Sequence, residues 1–428
     1  MGWETAALLF GSFAIMLVLD FPVALSLGVS STLTIIVFGL VPLEFLPQIL
    51  FGTADSFTLL AIPFFIFAGI VLGHTSISQR LIDLAACIVG NMPGGLGVVG
   101  IVAAVFFAGI SGSGPADVAA LGLVLIPAMI RNGYGLGFSA ALTAASGGIG
   151  IIVPPSIALI IYGFIAEVSI PKLFLAGIIP GILVALSLSI ATVAGAYSAG
   201  LHRKKTPRPD MTVAVAFRRA FWGLMAPVII LGGIYGGVFT PTEAAAVAVV
   251  YSIFIDMVIY RSMTFRGLID AAAEAGVMSS VIMAIVATAS IFAWILNIEG
   301  IASGAAAFMV ATIKSRWLLL IGINLILIAA GLFLDAISIF YIFLPVLLPV
   351  IRVIGVDPVH FGVIMTVNLA IGQVTPPVGV NLVTASGVSG ADLRTVSRAS
   401  LPFIACECLA LLIITFIPQL SLFLPDLF

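Results

Sequence analysis

Oxygen-bearing and helix-breaking residues gather at four places in an otherwise apolar chain. They are Gly109–Asp117 (GISGSGPAD), Gly148–Pro155 (GIGIIVPP), Gly331–Ser338 (GLFLDAIS) and Gly372–Pro377 (GQVTPP). A proline or glycine inside a membrane helix frees backbone carbonyls and amides, which must find partners where there is no water. Such breaks belong where the backbone lines an enclosed site. Freed carbonyls and helix C-termini suit a hard cation such as Na⁺, and the N-termini of half-helices attract anions. The expected chemistry is the joint binding of a cation and an anion.

The four places form two pairs. Adding 222 to a first-half position returns the same residue at Gly109/Gly331, Pro127/Pro349, Gly133/Gly355, Gly150/Gly372, Pro154/Pro376 and Pro155/Pro377, with no gap over positions 109–155. Repeated leucines mean little in so apolar a chain, but repeated prolines and glycines fix backbone geometry. One Na⁺ site is expected from Ser111, Gly112 and Ser113 with Gly150 and Pro154. A second is expected from Gly331 and Asp335 with Gly372, Thr375 and Pro376. An anionic substrate is expected between the two Pro-Pro breaks, touching Pro155, Ser156, Pro377, Asn381 and Ser338. No Lys or Arg lies in either break, so amides, hydroxyls and bound Na⁺ must neutralise a carboxylate.

Two acids carry a structural reading beside a functional one. Asp117 either serves coupling or braces its hairpin. Glu243, in FTPTEAAA, either serves coupling or complements a helix dipole from the first turn. A carboxylate deep in the bilayer costs roughly 2.5–3.5 kcal/mol on insertion scales, so Asp117 and Asp335 are the sharper candidates. Asp20 and Asp256 fall near expected span ends, and Glu407 has no assigned role.

The elements that hold these residues must be helices. Of 428 residues, 62% are hydrophobic and 8% charged, far below the roughly 25% charged residues of soluble domains. Apolar runs near 20 residues long exclude the short alternating strands of a barrel. Spans are read at about 5–20, 23–41, 57–73, 136–166 and 172–198, then 221–237, 242–260, 277–297, 359–388 and 401–425. Two longer stretches, about 93–131 and 317–353, break at their middles and read as re-entrant hairpins.

Placing the basic 202–219 loop in the cytoplasm puts twelve Lys and Arg there and four outside, in accord with the positive-inside rule. Both termini then face the periplasm. Each half holds five spans, an odd number, so the second half is inverted. Residues 1–200 form one repeat, 201–220 a cytoplasmic linker and 221–428 the other repeat. The first hairpin opens to the cytoplasm and the second to the periplasm.

Absences narrow the function. No GxxxxGK loop is present, so ATP is not the direct energy source. No basic tract interleaved with aromatics suggests nucleic acid. Cys87, Cys406 and Cys408 lie in or beside apolar runs and read as packing residues. Gly109–Gly112 matches the GxSG serine motif of rhomboid proteases, but a serine nucleophile needs a base, and His74, His202 and His360 all fall near expected membrane edges.

These residues resemble the large membrane subunit of tripartite ATP-independent periplasmic (TRAP) transporters, the DctM-like family. The stretches that carry the resemblance include GISGSGPADVAALGLVLIPAM, GGIGIIVPPSIALIIYG, GGVFTPTEAAAVAVVY, GLFLDAISI and IGQVTPPVGVNL. The resemblance implies an inner-membrane, Na⁺-driven symporter subunit working as an elevator, and not an enzyme. It also implies two partners, a small four-helix membrane subunit and a periplasmic binding protein, and an organic-acid substrate. The single-polypeptide divalent-anion symporters, which share the architecture, are the alternative.

Overall fold

The computed structural model describes residues 2–73, 77–92, 94–198 and 210–427. His74, His202 and the linker cations Arg203, Lys204, Lys205 and Arg208 lie outside the described residues. The first half gives α1 (Gly2–Val18), α2 (Val23–Phe38), α3 (Phe45–Ala54), α4 (Ala61–Gly73), α5 (Ile77–Val89), α6 (Gly95–Ser111), α7 (Gly114–Arg131), α8 (Leu136–Ile152), α9 (Ile157–Ala166) and α10 (Ile170–Ser198). The second gives α11 (Val213–Tyr235), α12 (Pro241–Phe254, extended by a π-turn over Ile255–Ile259), α13 (Phe265–Ile298), α14 (Ile301–Thr312), α15 (Arg316–Gly331), α16 (Ala336–Val353), α17 (Pro358–Gly372), α18 (Val380–Ser389), α19 (Leu393–Phe416) and the short α20 (Gln419–Leu422). The described residues are helical throughout, with no strand.

The 222-residue offset runs through the helices. Subtracting it from α16 gives 114–131, the bounds of α7, and from α17 gives 136–150, against 136–152 for α8. The same offset sets α15 on α6, α18 on α9 and α19 on α10, and carries α13 back onto α3 and α4 together. Both expected hairpins are present, as α6–α7 and α15–α16. Both expected broken helices are present, as α8–α9, bent by 42°, and α17–α18.

Several boundaries differ from expectation. The linker is shorter, because α11 begins at Val213 and carries Arg218 and Arg219 within its helix. Helix α13 starts at Phe265 rather than near 277, and α19 at Leu393 rather than near 401. Charged residues in those first turns lower the hydropathy but do not break a helix. Helices α3, α5 and α14 were not anticipated. They are 10–13 residues long, too short for the roughly 20 residues of a span.

Two packed units result. Helices α1–α4 and α11–α13 pack among themselves, with α12 against α4 and α13 against α2. The first hairpin and both broken helices pack around α8, which is buried from Ser139 to Ile152, while the second hairpin packs through α15 on α17 and through α16 on α9 and α13. Its small residues, Ala140, Ala141, Ala144, Ala145, Gly147 and Gly148, let neighbouring backbones approach, as membrane helix packing requires. The amphipathic α5 joins the first unit to α6.

Candidate functional site

The first hairpin turns in two residues. Gly112 ends α6 at φ +62, a conformation that side chains resist, and extended Ser113 leads into α7. The turn sits directly on the first break. A Cβ on Gly112 would lie 2.7 Å from the Pro155 carbonyl oxygen, and the Ile157 amide donates to the Gly112 carbonyl at 3.4 Å. Pro154 and Pro155, joined by a cis peptide, have no N–H to offer the carbonyls of Gly150 and Ile151 four residues earlier. The Ser156 hydroxyl donates to the Ile151 carbonyl at 2.5 Å and accepts from the Leu159 amide, capping α9.

Asp117 faces this break. It is 0% exposed, and one carboxylate oxygen accepts from the Ser111 hydroxyl. The other has no hydrogen-bond partner and points at Gly150, where a Cβ would collide with it. The same Cβ would lie 3.4 Å from the Ser113 carbonyl carbon. Ser111, Ser113, Asp117 and Gly150 thus meet at one place in the break. A buried carboxylate oxygen without a donor costs free energy unless a cation or proton meets it. Hydroxyl, carbonyl and carboxylate oxygens are the donor set a hard cation takes. Among the described residues no group of three His, Cys, Asp or Glu side chains could hold a metal ion.

The second pair closes differently. Asp335 caps α16, accepting from the amides of Ile337 at 3.0 Å and Ser338 at 3.3 Å, and from the Ser338 hydroxyl at 2.5 Å. Gly331 at the end of α15 meets Gly372 at the end of α17, backbone to backbone. Pro376 and Pro377 are again joined cis. Here the freed carbonyls are largely met locally. Ile371 accepts from the Val374 amide and the Thr375 hydroxyl, Gly372 from the Thr375 amide, and Gln373 from the Asn381 amide. Pro377 is exposed while Thr375 and Pro376 are half-buried.

The two pairs also touch each other. Gly114, the first residue of α7, faces the second break. A Cβ there would lie 3.1 Å from the Asn381 amide atoms and close to the Gln373 side-chain oxygen, at 2.5 Å. Asn381, 0% exposed, donates to the Ala144 carbonyl on α8 at 3.2 Å. Sequence reasoning missed Gln373, and an amide opening a Pro-Pro break in an apolar span was the available signal. It also missed a buried chain in which Asn368 donates to Asn324 at 2.9 Å and Asn324 to Thr415 at 3.0 Å, tying α17, α15 and α19.

Glu243 stands apart from these residues. It is exposed at the start of α12, where it forms a capping box with Thr240: its carboxylate accepts from the Thr240 amide at 2.8 Å, and its own amide donates to the Thr240 hydroxyl at 3.2 Å. The helix-terminal role is the one the structure gives it. Glu407 is 0% exposed in α19, with no hydrogen-bond partner for either oxygen.

A crevice of about 340 Å³ separates the units beside the first hairpin. Ser111, Ser113 and Ile157 line one wall, and Gly69, Glu274 and Met278 the other. A second recess, of about 980 Å³, lies between Tyr341 and Arg352 of α16 and Trp294 and Asn297 of α13. The hairpin and broken-helix unit therefore has open volume beside it at both places.

Comparison with known proteins gives three findings. Residues 10–420 match the model of the family described as "Tripartite ATP-independent periplasmic transporter, DctM component". The chain is 44% identical to the isethionate TRAP transporter permease protein DctMQ of Oleidesulfovibrio alaskensis, over 97% of this chain and 65% of that one. It is 40% identical to the C4-dicarboxylate TRAP transporter large permease protein DctM of Pseudomonas aeruginosa, over 94% of each. In fold it is similar to the crystal structure of the Alcanivorax borkumensis YdaH transporter, at a TM-score of 0.65 and 16% identity, over 88% of this chain and 87% of that one.

Proposed function

Because the chain belongs to the DctM component family of TRAP transporters, we propose that it is the large membrane subunit of an importer that couples inward Na⁺ movement to uptake of an organic acid across a bacterial inner membrane. The observation that carries this reading is the unpartnered, fully buried oxygen of Asp117, aimed at the Gly150 backbone between Ser111 and Ser113. A monovalent cation seated there satisfies the carboxylate and the carbonyl that Pro154 leaves without a helical donor. Each Na⁺ that enters adds about 2.3 kcal/mol per 100 mV to the driving force.

The second Na⁺ is assigned to Gly331, Gly372 and Thr375. Asp335 supports it from behind as the cap of α16. The substrate carboxylate is assigned to the space that Gly114, Gln373 and Asn381 share at the start of α18. That helix has Gly379 at its N-cap and no side-chain cap; the Asn381 amide is given to the Gln373 carbonyl, and the other first-turn amides are assigned to the anion. The hairpins and broken helices move as one body against α1–α4 and α11–α13, and the two crevices are the room for that motion. The first hairpin opens to the cytoplasm, the second to the periplasm, and both termini are periplasmic.

A small membrane subunit covers part of the outer helices, where Val228, Val250 and Val277 are among many exposed apolar side chains. A periplasmic binding protein delivers the acid, leaving fine selectivity outside the membrane. Competition by a panel of carboxylates and their neutral amides in reconstituted vesicles tests the anion assignment. Carboxylates alone should compete, and equal competition by the amides would overturn it.

A further inference from the structure

A recess of about 430 Å³ on the face that the charge count assigns to the cytoplasm belongs to neither ion pair. Its lining holds three guanidinium groups, Arg80 from α5 and Arg218 and Arg219 from α11, with the aromatic rings of Trp222 and Tyr260. The walls are braced. Arg80 lies 4.0 Å from the centre of the Tyr260 ring and donates to the Arg219 carbonyl at 3.4 Å, while the Tyr260 hydroxyl donates to the same carbonyl at 2.9 Å.

Among the described residues no carboxylate lines this space. Of those on the elements around it, Asp83 on α5 accepts from Gln79, and Asp256 is buried and accepts from Ser262. Deeper along the helices the surface is apolar and exposed, with Val228 on α11 and Val250 and Phe254 on α12 facing outward. Aromatic and basic residues above an apolar band mark the headgroup layer of a bilayer.

We propose that this recess binds the headgroup of an anionic phospholipid, with its phosphate between Arg218, Arg219 and Arg80 and its acyl chains along α11 and the π-turn after α12. Guanidinium groups match phosphate oxygens in geometry as well as charge. A basic pocket between helices at the cytoplasmic boundary is the setting in which anionic headgroups are held. The position gives the lipid a task. It bridges α11 and α12 to α5, the helix that leads into the first hairpin, and so anchors the arm from which the hairpin moves.

The test is native mass spectrometry of the chain bound to its small subunit, purified from vesicles of equal phosphatidylglycerol and phosphatidylcholine, with the chain alone in parallel. Phosphatidylglycerol should be retained about tenfold over phosphatidylcholine, and the ratio should fall to about one in Arg218→Gln/Arg219→Gln. The Arg218→Lys/Arg219→Lys variant should recover part of it. An unchanged unfolding temperature checks the fold, and the single Arg218→Gln variant serves if the double one fails to fold. Equal preference in the wild type and the Gln variant would overturn the proposal. So would displacement of the lipid by inorganic phosphate, which would mark a free-anion site, or loss of the preference once the small subunit binds, which would mark a protein interface.

Discussion

Gly331 and Gly372 leave no space between them: a Cβ on Gly331 would lie 2.9 Å from the Gly372 Cα, and one on Gly372 2.8 Å from the Gly331 Cα. The tip of the second hairpin meets the second break backbone to backbone. Gly331→Ala or Gly372→Ala must push the two helix ends apart. The expected cost is about 1–3 kcal/mol of stability, with weakened Na⁺ activation. Gly322, on the same helix with nothing within 4 Å, is the control. Thermal unfolding that ranks Gly322→Ala equal to Gly331→Ala would contradict the packing.

Asp117 and Ser111 act together. Asp117→Asn keeps the shape but removes the charge that faces Gly150. Half-saturating Na⁺ should rise at least about tenfold, the scale of a lost charge-assisted contact. Ser111→Ala removes one donor to the carboxylate and should shift Na⁺ activation in the same direction by less. A Na⁺ activation curve unchanged in Asp117→Asn would move the cation elsewhere.

Asp335 occupies the tip position equivalent to Ser113, offset by 222 residues, yet its carboxylate is engaged by two amides and a hydroxyl. Asp335→Ala should cost about 0.5–2 kcal/mol, the range for a lost N-cap, and Asp335→Asn less. Thr375→Val, which removes a hydroxyl bonded to the Ile371 carbonyl at 2.6 Å, should weaken Na⁺ activation with little change in unfolding temperature. Full Na⁺ activation in Thr375→Val would remove that residue from the second site.

Glu243 and Thr240 make the opposite prediction. Thr240→Ala should lower stability by about 1 kcal/mol through loss of the capping box. Half-saturating Na⁺ should stay unchanged in Glu243→Gln. A shifted Na⁺ dependence there would return Glu243 to the coupling machinery.

Much of this site was legible because prolines and glycines mark backbone events that hydropathy does not. Pro154 and Pro376 placed the breaks, and the 222-residue offset paired each with its hairpin to within a few residues. What escaped had a physical reason. Helices α3, α5 and α14 are shorter than a membrane span, so span counting passed over them. Arg394 and Arg398 hid the start of α19, as Asp270 and Glu274 hid the first turns of α13. The contact of Gly114 with Gln373 and Asn381 joins the two repeats, and no offset within one repeat points to it. The inequality of the two acids was equally invisible. Asp117 keeps one oxygen without a donor and Asp335 does not, and that is decided by the amides each meets.

If Na⁺ held by Asp117 and Gly150 drives the proposed uptake of a carboxylate, a Na⁺ gradient alone must suffice for accumulation. Proteoliposomes carrying the chain with the proposed small subunit and binding protein, without ATP, allow a direct measurement of labelled-acid accumulation under an inward Na⁺ gradient and under an equal K⁺ gradient. Accumulation is expected with Na⁺ alone, with at least about tenfold more Na⁺ needed for half-maximal rate in Asp117→Asn. Equal accumulation under the K⁺ gradient, or a Na⁺ dependence indifferent to Asp117→Asn, would contradict it.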